Sequence, residues 1–255
     1  MSNTRILQEI ANTISITVQC IPSNSLLTGR MGVTIFLYQY ARYSNNSQYE
    51  ALAESLLDKI YSQVNDDASM FFAEGLPGIG WGLNYLVQEQ YVVAESDLFD
   101  DIDDAVREIT TKQFLEDLDE KIPLFSKGLY FTARGLKEDL SNTLYELETF
   151  LPSVPIETLP HIYKNSIVFF LTQLIKIGHV DDQERCRLLL KKFPNHKNTY
   201  LNWENLIYCK KRQTITDGEE EIICLETNEI IKNIHYQALG LHKGLAGFGT
   251  LFYIK

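Results

Sequence analysis

Three stretches decide the fold: "GRMGVTIFL" at 29–37, "GLPGIGWGL" at 75–83 and "GLAGFGTLF" at 244–252. Each carries glycine at i and i+3, an apolar residue at i+4 (Val33, Ile79, Phe248) and another at i+8 (Leu37, Leu83, Phe252). Those offsets trace one face of a helix. Paired glycines at its start let the backbone turn sharply and let a neighbouring helix come close. Pro77 suits a helix start, where its missing N–H costs nothing. Three copies with matching apolar offsets make an internal repeat.

Degenerate copies fill the gaps. "YKNSIVFFL" from Tyr163 keeps the apolar face without the glycines, and "GLYFTARGL" from Gly128 and "NWENLIYC" from Asn202 are weaker copies. Starts at 29, 75, 128, 163, 202 and 244 lie 35 to 53 residues apart, the period of a helix-pair unit. The intervening segments are amphipathic: "SQYEALAESLLDKIYSQV", "DLFDDIDDAVREITTKQFLEDL", "EDLSNTLYELETFL" and "DDQERCRLLLKKF" each read as the second helix of a pair. Only "RQTITDGEEEIICLE", with a turn at Asp217–Gly218, suggests a short hairpin of strands.

Helices that are apolar nearly all round belong inside, and the amphipathic ones outside. The expected fold is all-α: an α/α toroid of about five to six hairpins, forming a single domain over 1–255. An open solenoid needs polar capping repeats at its ends. Here the last inner helix, "FGTLFYI", needs a covering neighbour, and closure against the N-terminal helix supplies one.

Composition narrows the function. A net charge of −11 argues against nucleic acid and anionic membranes as partners. No apolar run reaches the roughly 18 residues of a membrane span. Four scattered cysteines, with no C-x-x-C pair, suit a reducing compartment, and the N-terminus lacks a signal peptide's apolar core. A cytoplasmic protein is expected.

If the ring closes, the residues ahead of each inner helix gather at one end: Leu27–Thr28, Ala73–Glu74, Ser126–Lys127, His161–Ile162, Tyr200–Leu201 and His242–Lys243. Helix N-termini there favour a carboxylate or phosphate. Glu74, Lys127, His161, Tyr200, His242 and Lys243, with Arg30 one residue further in, would make a polar mouth. The candidate catalytic residues are His242, His161 and Glu74; the candidate substrate-binding residues are Lys243, Lys127, Tyr200 and Arg30. The acidic run Asp97–Asp104 lacks the glycine turn of a calcium loop and reads as a solvated helix start.

"GLPGIGWGLNYL" and "GLHKGLAGFGTLFYI" resemble the glycine motifs of the lanthionine synthetase C-like family, and "GRMGVTIFLYQYAR" is similar to its first repeat. The resemblance implies an α/α barrel whose zinc ion activates cysteine thiols of a precursor peptide for addition to dehydroalanine or dehydrobutyrine. In that family a C-H-G-x-A-G motif supplies two zinc ligands, and this chain has His242-Lys243-Gly244-Leu245-Ala246-Gly247 there. His242 stands in the cysteine's place and Lys243 in the histidine's. The family's W-C-x-G and H-G-x-x-G stretches have no match; Cys209 and His161 are the nearest substitutes.

Catalytic zinc takes three protein ligands from thiolate, imidazole and carboxylate. A lysine near its usual pKa of about 10.4 has no lone pair to give at neutral pH. The expectation is therefore a lanthionine cyclase-like chain without the zinc site. It would bind a precursor peptide or a partner modification enzyme and act as an accessory protein in lantibiotic-type peptide modification. No cofactor is expected. The alternatives are a zinc-dependent cyclase ligated by His242, His161 and Cys209, and a six-hairpin glycosidase-like enzyme, which needs a second carboxylate facing Glu74.

Overall fold

The computed structural model describes residues 3–63, 68–95, 97–193, 205–209, 226–227, 229–231 and 239–253. The regular elements among the described residues are all helices, with no strand among them. The all-α reading holds for them; the hairpin expected at 212–226 lies outside them except for Glu226, which is helical. The chain divides into two compact units, one of Met1–Asp67 with Tyr200–Lys255 and one of Ala68–Thr199.

In the first unit, α1 (Asn3–Thr17) precedes the helical hairpin α2 (Arg30–Ser44) and α3 (Ser47–Gln63), and the chain returns in α11 (Leu245–Tyr253). Helix α2 buries every residue from Arg30 to Ala41, as an apolar inner helix must. It ends at Asn45, whose left-handed φ of 50° turns the chain into α3. Helix α3 buries only Ala53, Leu56, Leu57 and Ile60, one stripe of an outer helix. Helix α11 packs on both α1 and α2, so the last inner helix meets the N-terminal helix expected to cover it. Glycine makes that approach possible. A Cβ on Gly249 would enter the Phe36 ring, and one on Gly32 would strike Leu241.

In the second unit α4 (Leu76–Gln88) is buried continuously from Leu76 to Leu86. It packs against α7 (Ser126–Arg134), and α7 against α9 (His161–Ile177). The amphipathic α8 (Lys137–Phe150) and α10 (Val180–Leu190) complete the pairs. Phe114, Phe125, Phe150, Tyr163 and Phe170 meet edge to face at ring separations of 5.0–6.3 Å. Such ring pairs add to the area they bury.

The segment expected as one long outer helix between α4 and α7 is instead two short ones, α5 (Asp100–Arg107) and α6 (Thr111–Glu116). The break has a distant cause. The Lys127 ammonium, 3% exposed, donates to the carbonyls of Arg107 (3.0 Å) and Ile109 (2.7 Å) and to Glu146 (2.9 Å). Those carbonyls are thereby taken at the point where α5 stops. The ammonium's three donors are all engaged, the condition under which a buried lysine is tolerated.

Asp117, 1% exposed, lies at the start of α7, where it accepts the Ser126 hydroxyl (2.7 Å) and amide (3.2 Å). The same hydroxyl oxygen accepts the Phe72 amide (2.9 Å), tying the turn ahead of α4 to α7. Burial pushes the Asp117 carboxyl up to about 8 against the pull of the Ser126 hydrogen bonds, and Glu120 and Glu116 add to the rise. The folded state then holds a proton that the unfolded chain releases near pH 4. Stability therefore falls as pH rises between about 4 and 8, by at most roughly 1.4 kcal/mol per pH unit. Urea denaturation at pH 5, 6.5 and 8 is expected to show this decline in the wild type and a flatter profile in Asp117→Asn. Parallel profiles would place the burial penalty elsewhere.

Candidate functional site

The glycine elbows share a hydrogen bond that spans seven residues. The amide of Arg30 donates to the carbonyl of Ser23 (2.9 Å), that of Leu76 to Ser69 (2.7 Å) and that of Ala246 to Leu239 (3.1 Å). In the first two elbows a serine hydroxyl also takes the amide two residues on: Ser23 from Ser25 (3.1 Å) and Ser69 from Phe71 (3.2 Å). A Cβ on Gly29 would meet Ser25 and the Ser23 carbonyl, and one on Gly75 would enter the Ser69 carbonyl. Each elbow is thus a closed loop whose glycine lies against its own backbone. Ser23 and Ser69, both six residues ahead of the glycine, were the sequence signal for this bond.

Two elbows meet within the first unit. The His242 amide donates to the Leu27 carbonyl (2.8 Å), and Gly240 lies so close to Leu27 and Thr28 that any side chain there would strike their backbone. The Ser25 and Thr28 hydroxyls pair at 3.0 Å beside this contact. His242 is half-buried and Lys243 exposed. Lys243 has φ 52°, a left-handed conformation uncommon for a residue with a side chain. The elbow therefore offers an imidazole and, immediately after it, an ammonium facing solvent at the start of α11.

Arg30, the first residue of α2, is 5% exposed. Its Nη1 donates to Asn24 (2.6 Å) and to Gln63 (2.9 Å), both neutral. Burial lowers its pKa from the usual arginine range.

The other predicted site residues are placed differently. Glu74, just ahead of Gly75, and His161, the first residue of α9, are exposed in the second unit. Lys127 belongs to that unit too, with its donors occupied as described. Tyr200 and the Cys209 side chain lie outside what is described; the Cys209 backbone closes a π-helical turn, Asn205–Cys209. The pairing of elbows 25–29 and 240–244, and the amide cage around Arg30, were not read from the sequence.

Zinc would require donors that this elbow lacks. His242 is one acceptable ligand, but the adjoining Lys243 is a cation, and the Cys209 side chain lies outside the described residues. Among the described residues no three His, Cys, Asp or Glu side chains come together in a way that could hold a metal ion. Cys186 is buried and its thiol is pushed up to about 12, chiefly by burial, so it stays protonated at neutral pH. Residues 240–244 alone supply one of the three ligands that a cyclase-type centre needs. No helix of the described residues is long and apolar enough to cross a membrane.

Residues 21–119 match the family model described as lanthionine synthetase C-like protein, a stretch holding the first two elbows and the helices α2 to α6. No curated protein and no solved structure matches the chain. The glycine motifs that suggested this family from the sequence fall at the helix starts where the fold needs them. Over residues 21–119, in its first two elbow repeats, the chain is similar to the lanthionine synthetase C-like family.

Proposed function

We propose that this chain binds a peptide at the paired elbows 25–29 and 240–244 and serves as a cytoplasmic accessory protein to peptide-modifying enzymes, without zinc chemistry of its own. The observation that carries this reading is the state of the 240–244 elbow. Where the family's motif places a thiolate and an imidazole, this chain presents a half-buried imidazole and an exposed ammonium. Those two groups recognise and orient; they do not hold a thiol-activating metal. His242 and Lys243 are the proposed contacts there. Similarity to the lanthionine synthetase C-like family over residues 21–119 supports the peptide as ligand class, since that family's enzymes act on precursor peptides.

The experiment uses a fluorescein-labelled synthetic peptide carrying one cysteine and one dehydroalanine, followed by anisotropy and by titration of its free thiol. Expected are saturable binding that 1,10-phenanthroline does not disturb, an unchanged thiol count, and binding weakened about three- to tenfold by Lys243→Glu. Loss of the thiol at a rate that the chelator abolishes would overturn the proposal in favour of a zinc cyclase.

A further inference from the structure

We infer that the Nε–Nη2 edge of Arg30 is a receptor for one carboxylate of a bound ligand. Three observations meet there. First, the guanidinium is buried at 5% exposure at the start of a fifteen-residue helix, so its charge adds to the positive end of the α2 dipole. Second, both Nη1 hydrogens are committed, to Asn24 at 2.6 Å and Gln63 at 2.9 Å, which fixes the plane of the group. Third, the buried Nε has no hydrogen-bond partner, and no described residue accepts from Nη2.

The Nε–H and the nearer Nη2–H run parallel, and a carboxylate accepts both with its two oxygens. This protein uses that edge in that way three times. Arg107 grips Asp139 through Nε and Nη2, Arg134 grips Asp103, and Arg185 grips Glu148. Arg30 is more buried than any of these three, yet its described hydrogen-bond partners are neutral amides and no ion pair to a described carboxylate is present. A guanidinium withdrawn from water without a counter-charge is unfavourable. A fixed, buried donor edge that no described residue pairs is where a carboxylate binds most strongly. Phosphate would also suit a helix start, but the planar two-donor edge left by Asn24 and Gln63 matches a carboxylate's geometry.

The inference deepens the peptide reading, on which the choice of a peptide as the carboxylate's source rests. The test observes the Arg30 Nε–H resonance by NMR in ¹⁵N-arginine-labelled protein, assigned with Arg30→Lys. Titration with acetate is expected to give a saturable downfield shift of this resonance, while those of Arg107, Arg134 and Arg185 stay fixed. Inorganic phosphate is expected to act only at higher concentration. An N-acetyl dipeptide with a free C-terminal carboxylate should reproduce the shift, and its C-terminal amide should not. An unmoved Arg30 resonance, or phosphate acting below acetate, would overturn the assignment. A response to acetate but to neither dipeptide would uphold the carboxylate edge and remove the peptide as its source. In the anisotropy assay, Arg30→Lys is expected to weaken binding of a carboxylate-bearing peptide at least about tenfold, because an ammonium cannot supply the paired donors.

Discussion

Gly75→Ala is expected to destabilise the second unit by about 3 kcal/mol, a large effect for one methyl group. The added Cβ would enter the carbonyl of Ser69, which already accepts the Leu76 amide at 2.7 Å. The obstacle is backbone and cannot rotate away. Either the seven-residue bond opens or α4 shifts on α7. Gly75 itself is extended, at φ −127°, so the cost is one of close approach and not of forbidden conformation. Gly135→Ala is the matched control. Gly135 caps α7 at φ +68°, with nothing within 4 Å of where its Cβ would be, so only conformational strain remains, about 1 kcal/mol. Urea midpoints of the two variants separate steric from conformational cost. Equal losses would mean that the elbow is not the tight loop described.

Asp103→Ala is expected to cost about 3–5 kcal/mol, the usual result of stripping one partner from a buried ion pair. Asp103 is 5% exposed and takes two hydrogen bonds from Arg134, each 2.9 Å, and one from the Tyr130 hydroxyl at 2.6 Å. The Arg134 guanidinium also stacks over Phe99, 4.0 Å from the ring centroid. Burial alone would raise the Asp103 carboxyl, but the hydrogen bonds from Arg134 and Tyr130 outweigh it and hold the group below the usual carboxylate range. Its stabilising effect is therefore present above about pH 4 and fades as pH falls through the lowered value. Chemical denaturation at pH 7 and pH 3 is expected to show a wide gap between wild type and Asp103→Ala at the higher pH and a narrower one at the lower. The double variant Asp103→Ala/Arg134→Met should recover part of the loss, since it removes the stranded charge. No recovery would show that the pair is not the source.

The inner helices were legible because their rule is local. Glycine at i and i+3 with apolar residues at i+4 and i+8 identified α2, α4 and α11, and the structure places a helix at each. Helices α7 and α9 were visible from weaker copies, but each starts two residues earlier than the pattern suggested, at Ser126 and His161. The division of the 97–118 segment into α5 and α6 was not legible, because the carbonyls that end α5 are taken by Lys127, which follows Ile109 by eighteen residues. Nothing in the segment itself announces that lysine. Nor does the residue type separate a solvated cation from a buried one. Lys127 and Arg30 were both read as lining an open mouth, and both are buried, one with its charge met by Glu146 and one among amides. The candidate site was legible only as far as His242–Lys243, where the departure from a known motif marked the position. The left-handed Lys243 and the contact with Leu27 depend on how two distant elbows pack.

The most direct measurement is zinc stoichiometry, by elemental mass spectrometry, of wild-type protein and His242→Ala purified without chelator and dialysed against metal-free buffer. The predicted result is far less than one zinc per chain in both proteins, with peptide binding by the wild type intact. One zinc per wild-type chain, lost in His242→Ala, would contradict the account and return the 240–244 elbow to metal chemistry.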